Sequence, residues 1–347
     1  MNNKLKSFIK KGVLGVAGRH IAKRGCILCM HRVLPFEKKS PLAFPRDLEV
    51  STVYLAEIIK HFQALGYCFI SMDEMADFLE SSSKDRVMAI TFDDGYKDNL
   101  DFALPICESA GVPMAVYVTT NFIDRIIAPW WYSLQSLILE RDHIFTGNPG
   151  KFEGLRANTQ KEKEEAYLWI YKKINEAGIE GRDMLEQVSK ANGLSSAPSC
   201  DDLMMTWDEL RALNDSPLVT IGGHTVSHPR LIWCDDRELK PEIIDSKARL
   251  EEELDCNVTH LSYPHGSEHD IPVGISDSAT EAGYQTAVTT IPRNLCKGDE
   301  RLLWTLPRKN VSGENENLFE LECSIKGLNL ILNRRLRQRL KAVTSFQ

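Results

Sequence analysis

The first residues able to do chemistry stand at the end of an apolar run. Thr91-Phe92-Asp93-Asp94-Gly95 directly follows Val87 to Ile90. A strand there delivers two adjacent carboxylates to its C-terminal edge, and Gly95 lets the chain turn. Neighbouring carboxylates can divide roles, one binding a metal and the other taking a proton from water. The same string also serves as ordinary turn and cap chemistry, because Asp-Asp-Gly is frequent in loops. The second signal is His224-Thr225-Val226-Ser227-His228, after the apolar run Leu218 to Ile221 and the pair Gly222-Gly223, read as a flexible joint. Histidines at i and i+4 face one way on a helical turn, which suits a divalent cation. Two satisfied or exposed histidines would share that spacing. No Glu follows His224, which excludes the zinc-protease helix motif. Together, Asp94, His224 and His228 make a two-histidine, one-carboxylate set with positions left for water and substrate. Asp93 sits one residue from a ligand, within reach of that water.

Those residues need elements to hold them. Strand-like apolar runs recur at Cys26 to Met30, Tyr67 to Ile70, Val87 to Phe92, Met114 to Val118, Leu218 to Ile221, His260 to Tyr263 and Gln285 to Val288. Helical patterns alternate with them at Tyr54 to Leu65, Met72 to Leu79, Asn99 to Ala110, Trp207 to Leu213 and Arg237 to Leu254. Strand and helix in alternation predict an α/β fold with a largely parallel sheet or barrel. Catalytic residues of such folds gather at the C-terminal strand ends. The interval from Val118 to Leu218 breaks the rhythm and holds Trp130, Trp131 and a charged helical stretch, Thr159 to Ala177. It predicts a helical insertion over one face, acting as a lid or a substrate wall. The expected organisation is a basic amphipathic N-terminal helix (1–24), a first barrel part (25–125), the insertion (126–200), a second barrel part (201–315) and a basic C-terminal helix (316–347).

With T-F-D-D-G followed by H-T-x-S-H, the sequence resembles the polysaccharide deacetylases of carbohydrate esterase family 4, the NodB-homology group, from about His31 to Asn310. The resemblance implies a distorted (β/α) barrel of the NodB-homology type carrying a helical insertion. It implies Asp93 as catalytic base, and Asp94, His224 and His228 as ligands of a divalent metal, zinc first. Leu261-Ser262-Tyr263-Pro264-His265-Gly266 is similar to the family's third motif, which implies that the Tyr263 backbone N–H helps bind the oxyanion. The Arg of the commoner motif is missing, and Arg308 in Leu306-Pro307-Arg308 is the candidate to orient the base; a surface charge after a turn is the alternative. The usual C-terminal Leu-x-His is also missing. Cys29-Met30-His31-Arg32-Val33 resembles the early strand of the circularly permuted branch, which implies His31 as general acid. A packed histidine at a strand end is the plainer alternative. The implied activity is removal of N-acetyl groups from amino sugars of a polysaccharide or its lipid-linked precursor. A same-fold amidase on a non-glycan substrate and a non-catalytic glycan-binding protein are the competing readings.

Composition bounds the rest. Hydrophobic residues at 43% and charged residues at 26% place the chain among folded globular proteins. A net charge of −7 argues against a nucleic-acid partner. The charge is uneven: residues 1–24 and 326–347 carry +13 between them, leaving −20 on the middle. Basic ends suit peripheral contact with an anionic membrane face, and equally a solvated helix face. Nine scattered cysteines fit a reducing compartment, so a cytoplasmic enzyme is expected. Cys26 and Cys29 lie in an apolar strand-like run and are read as buried small residues. Trp130 and Trp131, which open the insertion, are the aromatics expected to face sugar.

Overall fold

The computed structural model describes residues 23–147, 154–178 and 181–327. The helix expected over 1–24 and the tail from 328 onward lie outside them. Lys23 begins the first strand instead, and the described part of the C-terminal segment holds a short helix, Leu318–Ile325.

Nine strands build the main sheet. In chain order they are β1 (Lys23–Met30), β2 (Tyr67–Phe69), β3 (Arg86–Phe92), β4 (Met114–Val118), β5 (Val219–Gly223), β6 (His260–Ser262), β7 (Thr286–Val288), β8 (Leu295–Cys296) and β9 (Lys309–Asn310). Their spatial order is β7-β6-β5-β4-β3-β1-β8, with β2 beside β3 and β9 beside β1. All these pairings are parallel except β1 with β8. The sheet curls into an open half-barrel, the distorted barrel that the resemblance implied, and it is largely parallel as the alternation predicted. Strands covered on both faces need apolar residues at successive positions, not alternate ones. β3 obeys this: only Arg86 of its seven residues is exposed.

Helices cover the sheet by amphipathic packing. In α1 (Thr52–Ala64), Tyr54, Leu55, Ile58, Ile59 and Phe62 are buried, and the Ser51 side chain caps the Tyr54 N–H. Two further covering helices matter here, α2 (Asp73–Glu80) and α8 (Asp236–Leu254), the latter opened by an Asp235/Glu238 capping box. Between β4 and β5 the chain leaves the sheet. It forms α4 (Trp130–Leu139), α5 (Gln160–Glu176) and α6 (Gly181–Ala191), then returns through α7 (Trp207–Asn214), while α3 (Leu104–Ala110) precedes β4. α4 to α6 share an apolar cluster of their own, including Leu134, Leu137, Tyr167, Ile170 and Val188.

Gly222 and Gly223 are strand residues rather than a flexible joint. A Cβ on Gly222 would stand 2.4 Å from the Tyr117 ring and 2.8 Å from the His260 carbonyl oxygen. One on Gly223 would stand 2.3 Å from the Tyr284 hydroxyl. Close approach, not mobility, is what selects glycine there.

Candidate active site

The two carboxylates and three histidines of the site stand just beyond C-terminal strand ends. Asp93 and Asp94 follow β3, His224 and His228 follow β5, and His31 follows β1. The register that pairs Cys29 with Thr91 and Met30 with Phe92 brings His31 beside the carboxylates. Asp93 N–H also donates to the Met30 carbonyl at 3.0 Å. Asn99, in a short π-helical turn (Asn99–Ala103), donates its amide to the His31 carbonyl at 2.8 Å.

Asp94, His224 and His228 converge. Asp94 Oδ1 lies 3.5 Å from His224 Nε2 and 3.4 Å from His228 Nε2. Nitrogen and oxygen donors about 2.0–2.1 Å from a tetrahedral zinc stand roughly 3.3 Å apart, so the spacing fits a shared cation. Both Asp94 oxygens are buried without a hydrogen-bond partner, which an ionised carboxylate does not tolerate unless a cation faces it. His224 Nδ1 lies 2.7 Å from the Ser262 carbonyl oxygen, so it carries the proton and leaves the Nε2 lone pair to the site. The residues present therefore fit a divalent metal of the zinc type.

The histidines do not meet on a helical turn. Residues 224–228 form an irregular loop with left-handed backbone at Thr225 (φ 67°) and His228 (φ 55°), as at Asp94 (φ 80°). Such conformations are strained for residues with a Cβ and persist where surroundings over-determine them. Here they do. Glu242 of α8 accepts from the Val226 and Ser227 N–H groups at 2.9 and 2.8 Å and from the Ser227 hydroxyl at 2.5 Å. His228 N–H donates to Thr225 Oγ1 at 3.1 Å.

Arg308 is a fully buried clamp rather than a surface charge. Its Nη1 and Nη2 donate to Asp93 Oδ1 and Oδ2 at 2.7 and 2.6 Å, a bidentate pair. Nη1 also reaches Thr91 Oγ1 at 3.1 Å, Nη2 reaches Ser262 Oγ at 2.8 Å, and Nε reaches the Thr289 carbonyl at 3.0 Å. Five acceptors thus meet the five guanidinium N–H groups, a fixed cage. Burial alone would raise the Asp93 carboxyl; the Arg308 guanidinium, with His224 and His31 near, outweighs it and holds the group well below the usual carboxylate range. Burial likewise disfavours a charged His224, and the Asp93 and Asp94 carboxylates overturn that, raising it. The site thus attracts positive charge.

Tyr263 requires a correction. Its backbone N–H donates to the Val288 carbonyl at 3.2 Å, as β6–β7 pairing dictates, and its hydroxyl donates to the Trp304 carbonyl at 3.0 Å. Neither donor is available to an oxyanion. The residue that sequence reading passed over is His265, two positions on, where the chain is left-handed (φ 60°). Its ring centroid is 5.1 Å from that of His228, and its backbone N–H meets no acceptor among the described residues. Burial, then the neighbouring Arg230 cation, pulls the His265 imidazole down to about 4, so it is neutral near pH 7. The L-S-Y-P-H-G string was the available signal. Glu242 and Ser262 were missed as well, and only the tertiary contacts reveal them.

Two cavities, about 440 and 340 Å³, open on either side of Trp130 and share Ser227 and His228 as walls. Trp131 is buried, with its ring 5.3 Å from that of His228, so of the two tryptophans Trp130 alone parts the cavities. Trp207 donates Nε1–H to Asp124 at 2.8 Å under Arg249 and serves packing.

The polysaccharide deacetylase family model matches residues 80–287. The chain belongs to the polysaccharide deacetylase family. The match takes in Asp93, Asp94, His224, His228 and Tyr263, whereas His31 and Arg308 lie beyond it. Among solved structures, this deacetylase-family chain is similar to the Streptococcus pyogenes deacetylase PplD, at 18% identity and TM-score 0.55, over 86% of this chain and 97% of that one. It is similar to IcaB from Ammonifex degensii, at 15% and 0.53, over 88% and 97%. The BpsB deacetylase domain from Bordetella bronchiseptica gives 16% and 0.51, over 82% and 95%. At such identities the likeness is one of fold. No curated protein matches the chain.

Proposed function

We propose that this polysaccharide deacetylase-family chain is a metal-dependent hydrolase that removes N-acetyl groups from amino sugars within a glycan, releasing acetate. The observation that carries the reading is the orphaned Asp94 carboxylate facing two histidine nitrogens at 3.4 and 3.5 Å, directly beside an Asp93 clamped by Arg308. Asp94, His224 and His228 hold the cation, zinc being the first candidate. When bound, it supplies a Lewis acid for the amide carbonyl and makes nearby water easier to deprotonate.

The chain's own residues do the remaining work. Asp93, held in place by two charge-assisted bonds, takes the proton from the attacking water. The His265 backbone N–H, in place of Tyr263, donates to the oxyanion. His31, whose ring nitrogen lies within 4.8 Å of an Asp93 oxygen, gives a proton to the leaving amine. An acid supplied from just after the first strand is what the resemblance to the permuted branch implies. The paired cavities favour a substrate longer than one sugar, with the reacting residue at His228 and neighbours on both sides of Trp130.

The test is acetate release from acetylated chito-oligosaccharides by chelator-treated protein, with and without added zinc. Asp93→Asn is expected to keep the cation held by Asp94, His224 and His228 and to lose on the order of 10²–10⁴ in kcat. Turnover in that variant at the parental rate, or chelator-insensitive acetate release, would refute the reading.

A further inference from the structure

Among the buried cysteines that the mechanism leaves unused, Cys29 touches the base. Cys29, the last residue but one of β1, is fully buried, and its thiol donates to Asp93 Oδ2 at 3.6 Å. One donor atom each from Cys29, His31 and Asp93 lies within 4.8 Å of the others. We propose that these three residues form a second cation site, selective for thiophilic divalent ions such as zinc, whose occupancy switches off deacetylation.

Geometry and donor type carry this. A tetrahedral zinc bonded to sulfur at about 2.3 Å and oxygen at about 2.0 Å sets those atoms roughly 3.5 Å apart, close to the observed 3.6 Å. Sulfur, imidazole and carboxylate together select zinc-like ions over magnesium or calcium. Asp93 and Asp94 are adjacent in sequence yet turn to different partners, so the two sets share no side chain. His31 is half-exposed and gives an ion a way in. Binding is an exchange: the S–H bond of Cys29 breaks, its proton leaves to solvent, and the sulfur bonds the ion in its place.

The consequence rests on the reading of Asp93 as base and His31 as acid. An ion held by both leaves neither able to move a proton. Catalytic activity is then expected to rise as zinc fills the Asp94 site and to fall as it fills the second.

Cobalt titration of the chelator-stripped full-length protein tests the site directly. The parent is expected to take two equivalents and to show a near-ultraviolet thiolate-to-cobalt band. Cys29→Ala and Cys29→Ser are expected to take one equivalent without that band, and Asp94→Ala to take one equivalent with it. In activity assays, the zinc concentration giving half-inhibition should rise at least tenfold in Cys29→Ala. A single equivalent in the parent, an unchanged band in both cysteine variants, or an unmoved falling limb overturns the proposal. Should the parent release no acetate at any zinc level, the deacetylase reading fails, and the cobalt stoichiometry still decides whether the second site exists.

Discussion

At the scale of single residues, the Arg308–Asp93 pair is the most exacting feature. Both partners are buried, with side chains 0% and 3% exposed, so neither charge has water to fall back on. Arg308→Met is therefore expected to lose about 3–5 kcal/mol of stability, because it strands an ionised carboxylate. Adding Asp93→Asn should recover part of that loss, since a neutral amide is less costly to bury. Urea unfolding of the single and double variants decides it; equal instability would mean that the clamp is not what holds this region. The side chains that converge here were legible because they carry rare chemistry at short spacing: two carboxylates after an apolar run, two histidines four apart. Tyr263 misled because sheet register, which no local motif encodes, commits its N–H to Val288. Cys29 was legible as a buried strand residue, but its neighbour across the sheet was not.

At the scale of elements, loop 224–228 depends on helix α8 more than on its own sequence. Glu242 holds two N–H groups and one hydroxyl of a segment with two left-handed residues. Glu242→Ala is expected to weaken metal binding by about 10–100-fold, the usual effect of losing support behind a ligand. Chelator competition measures it, and an affinity equal to the parent's would rule the role out. The opposite end of the sheet has its own tie. Asp73, at the start of α2, accepts from Thr220 at 2.7 Å and lies 3.0 Å from His260 Nε2. The hydrogen bond with His260 lowers the Asp73 carboxyl below its ordinary value. A depressed acid stabilises the fold fully above its unfolded pKa, about 3.9, and the contribution fades as pH falls through the folded value. The gap in melting temperature between the parent and Asp73→Asn should accordingly be open at pH 6 and shrink toward pH 3. A gap that widens on acidification would contradict the assignment. Strands and helices were largely legible because burial on both faces forces unbroken apolar runs. The irregular backbone at Asp94, Thr225 and His228 was not, because polar contacts from distant elements impose it.

At the scale of the whole molecule, the helical segment between β4 and β5 turns an open half-barrel into a walled cleft. Trp130, stacked on Tyr171 with centroids 5.0 Å apart, parts the two cavities beside His228. Trp130→Ala should raise KM for an acetylated oligosaccharide by about tenfold, roughly 1.4 kcal/mol of binding, while kcat changes little. Steady-state kinetics on a chain-length series measures this; an unaltered KM would place the substrate elsewhere. Among the described residues no helix is long and apolar enough to cross a membrane.

The clamp on Asp93 spans 215 positions of sequence. A ribosome therefore finishes the base long before it makes the guanidinium that secures it. Until that late segment emerges and docks, a nascent chain holds a bare carboxylate that resists burial, and the pocket stays unformed. Hydrolytic competence is in this way tied to completion of synthesis through Arg308, and a product broken off upstream of it would be inert as well as unstable.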